Sequence, residues 1–117
     1  MICFLRILLV SNLLFLGTAK AVEVDIKRGE VVAAVRCGPC HHLYSNHIKV
    51  GPSLVNIYGK KPSISGVPFA IWDDDALHTW LINPRLVKGN TRMVLPAMSE
   101  RDRNDIIAWL KANAVMQ

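Results

Sequence analysis

Cysteine is scarce in this sequence: three in 117 residues, at Cys3, Cys37 and Cys40. That excludes a scaffold stapled by disulfides, because a Cys37–Cys40 bridge would close a loop too small to constrain much of the unfolded chain. Internal repeats, low-complexity tracts and linkers are absent, and the length allows one small domain at most. Strand signals are equally thin. Between Leu54 and Ile71 nothing alternates or stays apolar for long enough to build a sheet, and no hairpin pattern follows. Acidic residues are outnumbered, 9 against 14 Lys and Arg, for a formal net charge of +5. No nucleic-acid partner is expected from so mild an excess.

The one long apolar run sits at the start. "MICFLRILLVSNLLFLGTAKA" carries Arg6, then Ile7 to Leu16, then small residues ending Ala19-Lys20-Ala21. This is the pattern of a secretory signal over 1–21, leaving a mature domain over 22–117. The rival is an uncleaved membrane anchor, but the run is short for a span and is broken by Ser11 and Asn12. Cleavage leaves no membrane span and places the protein in the periplasm or otherwise outside the cell. Cys3 leaves with the signal, so only Cys37 and Cys40 meet that oxidising compartment.

The rest reads as helices and loops, an all-α class with about three main helices. Asp25 is a helix N-cap ahead of Ile26, Val31, Val32 and Val35, although the valines also permit a strand over 30–35. "LVNIYGKK" allows one or two helical turns. "WDDDALHTWLINP" predicts a helix with an acidic first turn, ended by Pro84. "RLVKGNTRMVLPAM" reads as an irregular loop. "SERDRNDIIAWLKANAV" is a strong helix: Ser99 caps it, Asp102 sits where a capping box needs an acceptor, and Ile106, Ile107, Leu110 and Ala114 share one stripe.

The chemistry concentrates in "VRCGPCHHL", residues 35–43. CGPC is the redox dithiol of thioredoxin-like proteins, and CxxCH is the attachment site of a c-type haem. A dithiol oxidoreductase needs a buried strand running into the motif and more strands after it. Those are missing, and a dithiol gains nothing from a histidine directly behind it. The haem reading uses every residue. On a helical path Cys37, Cys40 and His41 face one side, so the thiols can form thioethers with the two vinyl groups while the His41 imidazole reaches the iron. A second axial ligand should come from a loop able to fold over the haem. Of His42, His47, His78, Met93, Met98 and Met116, Met93 is favoured because its loop lies between two helices. Met98 is the runner-up, but it adjoins the Ser99 cap, where core packing is the more natural role.

Beyond the motif, "CGPCH", "VGPSLVNIYGKK", "IWDDDALHTWLINPRLVKGNTRM" and "DIIAWLK" together resemble the class I cytochromes c of mitochondria and alpha-proteobacteria, from about Asp25 to Ala114. The resemblance implies helices wrapped around one covalently bound haem c, the first and last helices crossing, and a carrier of single electrons rather than an enzyme. It implies His41 and Met93 as axial ligands and the Pro52 carbonyl as acceptor from His41 Nδ1. Trp72 would then donate to one haem propionate and Thr91 to the other. Gly29 would let two helices touch, with Ile106 and Trp109 as its partners, and Arg36, Lys49, Arg85, Lys88 and Arg92 would form a basic ring for redox partners with an acidic docking surface. A fixed electron-entry subunit of a dehydrogenase or oxidase is the alternative; a thioredoxin-like oxidoreductase is the distant one.

Three departures from the family pattern stand out. The segment from Gly59 to Trp72 is much shorter and lacks the Tyr and Asn that cover a propionate. Lys60 replaces an arginine there and cannot make a forked contact. Trp80 replaces a Tyr whose hydroxyl touches the methionine sulfur, so its indole either takes over that bond or points away.

Overall fold

The computed structural model describes residues 16–114. Most of the expected signal segment, and Met116, lie outside the described residues. Four helices follow in order: α1 Ile26–Arg36, α2 Asp74–Ile82, α3 Pro84–Val87 and α4 Glu100–Ala114. Among the described residues there is no strand, and no helix is long and apolar enough to cross a membrane.

The valines of α1 are helical because of what the segment packs against. Gly29, Ala33 and Cys37, four residues apart each time, are buried, whereas Val31 and Val35 are exposed. That spacing is helical, not the period of two a strand needs, and burial against α4 overrides β-propensity. Asp25 caps the helix as expected, its carboxylate accepting the Arg28 amide at 2.8 Å. Gly29 is where the two helices touch. A Cβ there would collide with the backbone carbonyl of Asp105, so the neighbour that matters is the α4 backbone at Asp105 and Ile106 rather than the Trp109 ring. Trp109 packs instead edge-on to Tyr44, ring centroids 6.4 Å apart.

Beside this crossing lies an ionic cluster that the hydrophobic pattern of the sequence does not announce. Asp105, only 1% exposed, accepts from the Asp25 amide at 2.9 Å and from the Arg28 guanidinium at 2.6 Å. Arg28 also reaches Asp102 at 2.5 Å. The predicted capping box at α4 is therefore half made: the Asp102 amide donates to Ser99 Oγ at 3.1 Å, but the Asp102 carboxylate is taken by Arg28.

The middle of the chain differs from expectation in two places. Residues 55–58 form turns, not helix, because Asn56 and then Gly59 adopt positive φ (56° and 81°) and break any helical path. Pro84 does more than end α2. Asn83 is extended and its side chain accepts the Arg85 amide at 3.1 Å, so Asn83 caps a second short helix with Pro84 in its first turn. Asn-Pro is a start signal as well as a stop. The loop after Gly59 is closed at its base by two backbone bonds, Gly59 N–H to Trp72 C=O at 2.8 Å and Trp72 N–H to Lys60 C=O at 2.9 Å. Met98 is buried among the core side chains, as its place beside the cap suggests.

Burial pushes the Asp105 carboxyl up, but the Asp25 amide and the Arg28 guanidinium outweigh it, so the net shift is downward from 3.8. Asp102 is likewise lowered, chiefly by its bond from Arg28. Both groups thus stabilise the fold above their unfolded value of 3.8, and that contribution is lost as pH falls through their lower folded values. Asp105→Asn should cost about 3 kcal/mol at neutral pH, the low end for a broken buried pair because Arg28 keeps Asp102 and some water. It should also flatten the fall in stability below about pH 4; urea midpoints of the haem-loaded protein across pH check both effects.

Candidate haem-binding site

The end of α1 builds the attachment motif. The Cys37 amide still donates to Ala33 at 2.7 Å, and the Cys40 and His41 amides both donate to the Cys37 carbonyl, at 3.0 and 2.9 Å. This tight turn holds the three side chains to one cavity. Gly38 is required inside it, since a Cβ would strike the Ala34 carbonyl. The next loop folds back under His41: the Gly51 amide donates to Cys40 C=O at 2.7 Å, and His41 Nδ1 lies 2.6 Å from Pro52 C=O. A carbonyl only accepts, so Nδ1 carries the proton and Nε2 keeps its lone pair free. Gly51 has no room for a side chain, because a Cβ would run into the His41 ring.

Met93 comes from the loop after α3. The Thr91 amide donates to Lys88 C=O at 2.9 Å, and Thr91 Oγ1 accepts the Met93 amide at 3.2 Å. The Thr91 hydroxyl proton is left to donate elsewhere. Trp80, buried on α2, places its indole N–H 3.3 Å from Met93 Sδ. The indole therefore does contact the sulfur, and a second sulfur lone pair stays unengaged.

These pieces enclose one cavity of about 590 Å³. Cys37, Cys40, His41, Pro52, Trp72, Thr91 and Met93 all line it, so the structure brings together every residue singled out in the sequence for the site. Leu54, Ile57, Leu77, Leu81, Ile106 and Leu110 make most of the remaining wall apolar. The rejected ligand candidates fall elsewhere: Met98 and His78 do not line the cavity, and His42 and His47 pair edge to face, centroids 6.1 Å apart. Two thiols, an imidazole nitrogen, a thioether sulfur and apolar walls are a donor set and a shape that suit haem. They do not suit a redox dithiol. Burial pushes the Cys37 thiol up to about 11, opposed only in part by Arg36, whereas an attacking dithiol cysteine needs a lowered value.

The basic residues divide. Lys49, Arg85 and Arg92 are exposed and Arg36 and Lys88 half-buried; of the five, Arg36, Lys88 and Arg92 line the cavity.

No protein-family model matches the chain. Cytochrome c of Gibberella zeae is 34% identical over 98 residues, covering 74% of this chain and 92% of that protein. Cytochrome c of Theileria parva is 31% identical, covering 76% and 86%, and that of Guizotia abyssinica 30%, covering 81% and 96%. The chain belongs to the cytochrome c family. This cytochrome is accordingly an electron-transfer protein rather than an enzyme, all-helical, with one covalently bound haem c.

In this cytochrome Cys37 and Cys40 are the cysteines of the described residues. Matured with a c-haem assembly system, the protein should keep its haem through acid-acetone extraction. Cys37→Ala together with Cys40→Ala should release it. Haem that stays bound in the double variant would place the attachment elsewhere.

Proposed function

We propose that this chain is a single-electron carrier with His41 and Met93 as axial ligands, exported with residues 1–21 removed and docking on acidic partners. One observation carries the ligation: the His41 ring and the Met93 sulfur, from loops far apart in sequence, line the same apolar cavity as both cysteines. Haem supplies the ferric–ferrous couple when bound. The residues tune it. The Pro52 carbonyl fixes the His41 tautomer and strengthens Nε2 as a donor. The Trp80 N–H draws electron density from the Met93 sulfur, and the apolar wall disfavours the extra charge of the oxidised state; both raise the potential. With His41 and Met93 both holding the iron, no open position would be left for a substrate. Pro52, Trp72 and Thr91 complete the site, the last two as propionate donors. Support for export is the apolar run with its Ala-x-Ala end; an intact mass of residues 22–117 plus one haem is the result expected.

Met93→Ala should abolish the weak far-red band of the oxidised protein and lower the reduction potential. Met98→Ala should keep the band while costing about 2–3 kcal/mol of stability through a core cavity. Trp80→Phe should keep the band too, yet lower the potential by less than Met93→Ala does. The opposite pattern in the two methionine variants would move the ligand to Met98.

Lys49, Arg85 and Arg92 form the exposed part of the basic surface. Charge at a docking face raises the rate of encounter and is screened as salt rises, with a Debye length of about 8 Å at physiological ionic strength. Arg85→Glu should slow electron transfer to the native partner at low salt with the spectrum unchanged, and Arg103→Glu on α4 should slow it less. Stopped-flow rates against ionic strength test this; rates indifferent to salt and to these reversals would make docking mainly apolar.

A further inference from the structure

The loop from Gly59 to Trp72 is short, and the family's propionate cover is missing from it. The cation at its base does not make up the loss. Lys60 does not line the cavity, and its ammonium lies 3.5 Å from the Val55 carbonyl. Lys88, reaching in from the loop after α3, does line the cavity. Its ammonium lies over Gly66, near the tip of the short loop, 3.2 Å from where a Cβ on that residue would stand. Gly66 has a φ of +79°, so the turn that leaves this room is one that side chains rarely permit. Ser63, Asn90 and Thr91 are the uncharged polar side chains in the same wall, and no Asp or Glu lines the cavity at all. None of the ion pairs among the described residues uses Lys88. A half-buried cation on the wall of a cavity that holds no protein carboxylate is matched to an acid on the ligand. The other cavity cations sit differently: Arg36 adjoins Cys37, where the vinyl edge is anchored, and Arg92 is exposed.

We infer that Lys88 is a propionate partner, a positioning residue that takes the place of the missing loop cover, rather than a member of the docking surface. This rests on the haem reading of the cavity. The Lys88 ammonium would neutralise a propionate from its place against Gly66, where the short loop meets the loop that carries Met93. A positive charge held near the iron disfavours the oxidised state. Removing it should therefore favour that state by about threefold for one partly screened charge, which is a potential lower by ~28 mV at 59 mV per tenfold change.

The test uses the haem-loaded protein and reads equilibrium reduction potential, at low and high salt, beside the visible spectrum. Lys88→Met and Lys88→Gln should both lower the potential by that amount with the reduced bands and the far-red band unchanged, and Lys88→Arg should restore it. Lys61→Gln, an exposed charge on the Gly59–Trp72 loop, serves as the control. Should both neutral variants keep the wild-type potential, or fall no further than Lys61→Gln, the inference is overturned. The same holds if Lys88→Arg behaves like Lys88→Met, since a charge role tolerates that change. A wild-type protein with no covalent haem spectrum would overturn the haem reading itself, and this inference with it.

Discussion

At Gly29 the backbones of α1 and α4 come so close that no side chain fits between them. One wall of the haem site takes its position from that contact. It sets the direction in which α1 delivers Cys37, Cys40 and His41, and it fixes Ile106 and Leu110 of α4 as part of the cavity wall. A crossing this tight leaves polar backbone at the helix ends with little water. The Asp105 carboxylate answers that need by taking the Asp25 amide at the start of α1, while Arg28 keeps the carboxylate charged. A small chain buries limited surface by itself, so the close approach of two helices and a large cofactor between loops are complementary solutions to one shortage.

The attachment motif and the helix patterns were legible in the sequence because they are local. Three residues in CxxCH and the periodicity of α1, α2 and α4 need no knowledge of the rest of the chain. That Met93 lines the cavity while Met98 packs in the core was legible too, from loop against cap. What the sequence hid depends on partners far along it. Asp105 looks like one more polar residue of a helix that displays several, and nothing marks it as buried until Arg28 and Asp25 are brought beside it. Lys88 looks like one of five basic surface residues until the short loop folds against it. Asn83-Pro84 was misread for a different reason: the pair ends one helix and starts another, and a stop signal conceals a start.

Composition also explains how the site tolerates a family pattern so altered. The small Ala33 of α1 and the large Trp109 of α4 are buried in the same core. One helix contributes little volume at the crossing and the other much. Cores accept such exchanges when total volume is kept. The same economy holds around the cofactor cavity, where a segment has been removed and a lysine from another loop occupies the space beside it.

Trp80 gives the Met93 sulfur a neighbour of a particular kind. An indole N–H donates and never accepts, and it does not titrate in water's accessible range. A phenol at that position could rotate its proton away, take a bond from a trapped water, or ionise. The indole can do none of these, so its contact with the sulfur has one polarity in every state of the protein. At this contact electron movement is thereby uncoupled from proton movement, and the bond to the sulfur is indifferent to the acidity of whatever compartment surrounds it.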